Sequence, residues 1–393
     1  MKRAGKYAAA LAGLTIAASL LFGCDTVRGY AVAAGIMQDP TVTDVTVKVA
    51  VPLEYAKQNT AFLDGVQLAE ADIKNLNSPV NIHVEIDDDK GSFATVIDLV
   101  QGYAKQPQVI GVVGHWYSDI CSSVTDLYNR NHKTLLVPTV SITGLASKDK
   151  PYIFQNIPND RQIGKVLCDY AQQQGVKSLV IYYEDSTYGF TMSAEVQKYC
   201  QQLGITVCDK LTGLTLKRDL PEAKRKWDAA GYDGVILISN VEEGATFINE
   251  LRILGSKALI LCSDGMDSES LPKLLNDNSG ELYVASIYNS ESTLEGIKGF
   301  KERFKKQYNK EPDVWAFQGY DCVMTIAHAV AEHEVTTSEQ LKDYLQTAKD
   351  IPSIFGKLSF TGDHEVEGKA IYLKKVSRTG IQSVWGGNES GSK

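Results

Sequence analysis

Short β-branched runs recur along this chain, with helix-length amphipathic segments between them. The runs are Val45–Leu53, Val80–Ile86, Val109–Gly114, Leu135–Val140, Ser178–Tyr183, Ile205–Leu211, Gly234–Ser239, Ala258–Cys262 and Leu282–Ile287. Between the first two, Ala61–Leu76 places Phe62, Val66, Ala69, Ile73 and Leu76 on one stripe, which is the period of a helix. Ile163–Gln174 and Val241–Leu254 read the same way, closed by Gly175 and Gly255 in the manner of helix C-terminal caps. Strands alternating with helices predict βαβ units and parallel sheets. Runs such as Val180-Ile181-Tyr182-Tyr183 and Val235-Ile236-Leu237-Ile238 are apolar at every position. Such strands need cover on both faces, as in a sheet between two helix layers. The expected architecture is therefore α/β, in two consecutive halves at roughly 45–157 and 158–287. Helices at Leu294–Tyr308 and Trp315–Ala331 follow, then a returning strand at Gly368–Val376 and a polar tail over 386–393.

The first residues break this pattern. Lys2, Arg3 and Lys6 precede an apolar stretch from Tyr7 to Phe22, then Gly23 and Cys24. The stretch is short for a span of about 20 residues and has the layout of a secretory signal. A cysteine directly after a small residue resembles a bacterial lipoprotein signal. That likeness implies cleavage after residue 23, lipid on Cys24, and a linker over 24–44 to the folded part. A plain secreted protein and an uncleaved anchor are the alternatives. No second long apolar run follows.

Charge narrows the partners. The formal charge is −8, and removing residues 1–23 with their three basic groups leaves −11. An acidic chain is a poor match for nucleic acid or an anionic lipid surface. Six cysteines remain besides Cys24. Cys200 and Cys208 are close in sequence and read either as a local disulfide or as buried free thiols. No spacing suits a zinc site, and no phosphate loop, Gly-x-Ser-x-Gly elbow or His-Glu-x-x-His is present. Neither an enzyme nor a cofactor is expected.

In a doubly wound sheet, ligands sit beyond the carboxyl ends of the strands. Four strand ends carry candidate chemistry. His115-Trp116-Tyr117-Ser118-Asp119 leads into a helix, where Ser118 is placed either to cap that helix or to help its amides hold a carboxylate. Pro138-Thr139-Val140-Ser141 offers hydroxyls and free amides, or is an ordinary turn. Tyr188, after Glu184-Asp185-Ser186-Thr187, lies over a ligand or anchors its helix. Asp264, at the mouth of an apolar strand, suits an ammonium partner or a turn.

The order of these segments resembles the type I periplasmic binding proteins, and in particular the leucine/isoleucine/valine-binding branch of ABC-transporter receptors. The landmarks are Val47-Lys48-Val49-Ala50-Val51, Gly65 with Ala69-Asp72-Ile73, Asp87-Asp88-Asp89, Gly111-Val112-Val113-Gly114-His115, Val137-Pro138-Thr139-Val140-Ser141, Asp185-Ser186-Thr187-Tyr188-Gly189 and Asp313-Val314-Trp315-Ala316-Phe317-Gln318-Gly319-Tyr320-Asp321. They run in order from about Val45 to about Lys375.

The resemblance implies two Rossmann-like, doubly wound lobes joined by a multi-strand hinge and closing on a ligand like a trap. Lobe 1 would be 45–157 plus 288–370, and lobe 2 would be 158–287 plus 371–385. Ser118 and Ser141, with backbone at Thr139 and Val140, would take a carboxylate. Asp264 would take an ammonium, Tyr188 would cover the ligand from the second lobe, and Tyr117 and Asn240 would complete the lining. The family often has a tyrosine near the place of Asn240. The loop after the first strand, Val51-Pro52-Leu53-Glu54-Tyr55-Ala56-Lys57-Gln58-Asn59, lacks the family's glycines, so side-chain preference does not carry over.

The implied function is an extracytoplasmic, lipid-anchored and monomeric receptor that delivers an amino acid-like ligand to an ABC permease. The alternative is a sensor for a membrane signalling partner, which would gain from the same tether.

Overall fold

Alternation of apolar side chains between two cores is what fixes the sheets. In this computed structural model, which describes residues 43–280, 282–289 and 291–386, β1 (Asp44–Val51), β2 (Asn81–Asp88), β3 (Val109–Gly114), β4 (Thr134–Val137) and β5 (Ile153–Gln155) form one sheet. Its order is β2-β1-β3-β4-β5 and every pairing is parallel. On β3, Ile110 and Val113 enter the core under helices Phe62–Ile73 and Val314–His333, while Val109 and Val112 enter the one under Phe93–Ala104 and Ser118–Arg130.

The second sheet takes β6 (Ser178–Tyr183), β7 (Thr206–Leu211), β8 (Gly234–Ile238), β9 (Leu259–Cys262) and β10 (Leu282–Ser286). After a small sheet of β11 (Ile351–Ser353), β12 (Gly356–Phe360) and β13 (Val366–Glu367), the chain returns as β14 (Tyr372–Ser377) and β15 (Gly380–Gly386). These two join the second sheet antiparallel, in the order β15-β14-β10-β9-β8-β6-β7. On β8, Val235 and Leu237 feed one core and Ile236 and Ile238 the other.

The chain crosses between the sheets three times: after β5, after β10 and before β14. Lys369, in the third crossing, joins it to the first crossing and to the helix Val314–His333. Its Nζ lies 2.8 Å from Asp321 Oδ2 and donates to Gln318 Oε1 at 2.6 Å and to the Asn156 carbonyl at 2.9 Å. Lys369 and Asp321 side chains are 0% and 1% exposed. Asn156 belongs to the first crossing, and Gln318 and Asp321 to the helix Val314–His333.

Several boundaries differ from expectation for local reasons. The run Leu135–Val140 stops at Val137 because Pro138 has no N–H to give a ladder. The helix expected from Ile163 begins at Asp160, since Asn159 and Gln162 close a capping box. Ser118 is not an N-cap: Tyr117 holds that place and Ser118 is the first helical residue. Asp44 already belongs to β1 and Gly386 to β15, each one residue beyond the boundary expected. Cys24 and residues 1–42, and residues 387–393, lie outside the described residues. No helix among the described residues is long and apolar enough to cross a membrane.

The Cys200–Cys208 bridge is not formed. Both thiols are free. Cys200 faces Cys168, while Cys208 points across its strand to the Leu179 carbonyl at 3.3 Å. Nearby positions on a helix end and an edge strand direct the two side chains apart.

Candidate functional site

The strand ends of the two sheets meet where the first crossing enters the second half. Ser141 and Asp160 mark the junction: the Asp160 amide donates to the Ser141 carbonyl at 2.7 Å. Thr139 ties two strand ends of the first sheet, its Oγ1 donating to the Trp116 carbonyl at 3.1 Å. Val140 is buried and its carbonyl accepts from Gln155 Nε2 at 2.7 Å. The preceding turn is set by His115, buried between Asp89 (2.7 Å) and Tyr128 (3.0 Å). That clamp positions Trp116 and the exposed Tyr117 at the mouth.

From the second sheet, Tyr188 in the first turn of helix Thr187–Leu203 donates its hydroxyl to Asp264 Oδ1 at 2.8 Å. Asp264 follows β9 and is buried. Burial pushes its carboxyl up to about 6 against the Tyr188 hydrogen bond, which favours the ionised form. Burial also carries the Tyr188 hydroxyl well above its ordinary value, with Asp264 and Asp160 adding to it.

Asp160 is the site residue that the sequence reading missed. It is fully buried, and burial raises its carboxyl to about 7, with the nearby Asp264 charge contributing in the same direction. Thr191 Oγ1 donates to Asp160 Oδ2 at 2.8 Å. The Ser141 hydroxyl faces the same carboxyl and opposes the shift without closing a hydrogen bond of ordinary length, so Oδ1 has no partner. The available signal was the position of Asp160, at the first turn of a helix directly after the crossing from β5.

Asn240 does something more local. Its Oδ1 accepts from the Glu243 amide at 3.1 Å as a helix cap, and its amide and side-chain nitrogens donate to Glu184 Oε2. It lines an open groove of about 600 Å³ shared with Glu184, Ser186 and Glu242. Tyr55 stands on a short helix, Leu53–Asn59, formed by the glycine-poor segment after β1. Burial raises the Tyr55 hydroxyl to about 12, and the charges of Glu184 and Glu242 add to it from the second half. Its ring centroid is 5.5 Å from Trp116 and 5.7 Å from Tyr117, and Trp116 is 5.3 Å from Trp315. The structure thus brings Ser141, Tyr188, Asp264 and the unforeseen Asp160 together. It places Tyr117 and Ser118 at the rim, and leaves Asn240 in the adjoining groove.

A profile of the periplasmic binding protein family matches residues 54–380. The chain belongs to this family. This periplasmic binding protein is 22% identical, over 63% of its length, to a leucine-, isoleucine-, valine-, threonine- and alanine-binding protein of Pseudomonas aeruginosa. An uncharacterised protein of Methanocaldococcus jannaschii is 24% identical over 47% of the chain. The match spans 66% and 46% of those two relatives' own lengths. Among solved structures, an ABC-transporter substrate-binding protein from Desulfitobacterium hafniense in complex with Leu is 25% identical. Its TM-score is 0.77, and the match covers 87% of this chain and all of that one. The two α/β halves of this periplasmic binding protein thus have the type I architecture. The family, the Pseudomonas relative and the solved neighbour are binding proteins, not enzymes.

Proposed function

We propose that this protein is an extracytoplasmic receptor that closes on an α-amino acid or a close relative and delivers it to an ABC permease. The observation that carries this reading is the buried Asp264, held by the Tyr188 hydroxyl and joined by Asp160. A buried carboxylate without a cation is costly, so a ligand ammonium is its natural partner. The hydroxyls and amides of Ser118 and of Thr139 to Ser141 are the counterpart for a carboxylate. The neighbour in complex with Leu supports the same ligand class. Tyr55, Trp116 and Tyr117 line the side-chain end, so a bulky apolar or aromatic side chain is favoured there.

The lobes of this trap are assigned to 45–157 with 288–370, and to 158–287 with 371–385. Lipid on Cys24 tethers a monomer beside its permease and raises its local concentration there.

Thermal-shift titration against the free amino acids, starting from L-leucine, tests the ligand class. A ligand at 100 times its Kd stabilises by about 2.7 kcal/mol. A flat response to every zwitterion would sink the proposal.

A further inference from the structure

The sulfurs of Cys168 and Cys200 lie 3.7 Å apart, and both side chains are fully buried. They belong to two neighbouring helices, Asp160–Gln173 and Thr187–Leu203. Three contacts step along this helix pair in one direction. Asp160 receives the Thr191 hydroxyl. Four residues on, a Cβ built on Gly164 would stand 3.4 Å from Val196 Cγ2 and 3.8 Å from its Cα. Four residues further on each side stand Cys168 and Cys200. The helices therefore run parallel, and the glycine lets their backbones approach one turn before the thiols. Cys168 Sγ is also 3.6 Å from the Val196 carbonyl, which places it over the partner helix's backbone.

We propose that Cys168 and Cys200 are joined by a disulfide in the exported protein, fastening the two helices whose first turns supply Asp160 and Tyr188 to the cleft. The bond needs the sulfurs to approach from 3.7 Å to about 2.05 Å, a movement that side-chain rotation supplies once the backbones are close. The oxidant is another disulfide, either oxidised glutathione or an oxidised dithiol protein. One cysteine thiolate attacks that disulfide, forming a mixed disulfide and releasing one oxidant thiol. The second thiolate then displaces the remaining oxidant sulfur. Two protein thiols give up two protons and two electrons, and one oxidant disulfide becomes two thiols. Since both sulfurs are inaccessible in the folded chain, the exchange belongs to folding, before the helices finish packing.

The bond closes a loop between positions 32 apart, so it restricts the unfolded chain more than a short-range bridge would. It also ties the first turn that carries Asp160 to the one that carries Tyr188.

The test uses the full chain, denatured and refolded in a glutathione buffer, then alkylated under denaturing conditions and mapped by peptide mass without reduction. The expected product links the Cys168 and Cys200 peptides and leaves Cys121, Cys208, Cys262 and Cys322 alkylated. Both Cys168 and Cys200 alkylated, or Cys200 linked to Cys208, would overturn the proposal. Material exported by a cell gives the same readout if refolding in vitro fails. A second measurement compares melting with and without reductant. Oxidised protein is expected to melt roughly 5–10 °C higher, and this difference should vanish in the C168A/C200A double variant. A redox-dependent shift of the same size in the double variant would also count against the bond. Neither readout needs a ligand, so failure here leaves the binding proposal standing, and the reverse holds too.

Discussion

Asp160 and Asp264 set how this site responds to pH. Both bind a proton more readily folded than unfolded, because burial penalises their charged forms. Their contribution to the stability of the unliganded protein is complete below the ordinary carboxyl value of 3.8 and is lost as pH rises through about 6 to 7. An Asp160→Asn variant should therefore gain on the parent as pH rises, by about 2–4 kcal/mol at pH 8 in urea unfolding. A constant difference across pH 4 to 8 would refute the buried-carboxyl reading. Binding of an ammonium ligand has the opposite slope, because it needs Asp264 ionised. Affinity for L-leucine should fall about tenfold per pH unit below pH 6 in calorimetry. Asp264→Ala should weaken binding by about 3–5 kcal/mol, and unchanged affinity would remove Asp264 from the site.

At the scale of elements, the closest packing joins helices Phe62–Ile73 and Val314–His333. A Cβ on Gly65 would stand 2.0 Å from the Ala316 carbonyl oxygen, and one on Gly319 would stand 2.5 Å from that of Phe62. Neither backbone can yield without moving a whole helix. Gly65→Ala should therefore cost about 1–3 kcal/mol or more in chemical denaturation, although alanine is the better helix former. Asp313 reinforces the same junction. Its carboxylate caps the longer helix at Ala316 and also accepts from the Ala61 amide at 2.9 Å. The helix Leu53–Asn59 shows the limit of reading elements by pattern. Lacking glycines, that segment could coil, and doing so moves Tyr55 against Trp116.

Across the whole molecule, the three crossings decide whether the halves can move as bodies. Lys369, Asp321, Gln318 and Asn156 gather two of those crossings onto one helix, with both charges buried. A second buried pair, Lys374 with Asp267 at 2.9 Å, sits just beyond Asp264. Lys369→Met leaves Asp321 buried without its cation and should destabilise by about 3–5 kcal/mol in urea unfolding. Restored stability in Lys369→Met with Asp321→Leu would show that the unpaired charge, not lost packing, is the cause. The helices Ser118–Arg130 and Thr187–Leu203 touch across the cleft, and Tyr55 senses Glu184 and Glu242 from the other side.

Strand-helix alternation and strands apolar on both faces were enough to establish a doubly wound α/β chain, because period and burial are local properties of the sequence. The ordered landmarks, from Val47 to Asp321, were enough for the family. Partners across long separations were not legible. Asp160 lay ahead of the helix expected from Ile163 and went unread, and the crossing puts it beside Asp264. Cys200 looked like the neighbour of Cys208 until two parallel helices turned it to Cys168. Lys369 gave no sign in the sequence of the buried partners that Asn156, Gln318 and Asp321 supply. In each case burial and pairing depend on which segments pack together, and only the tertiary structure decides that.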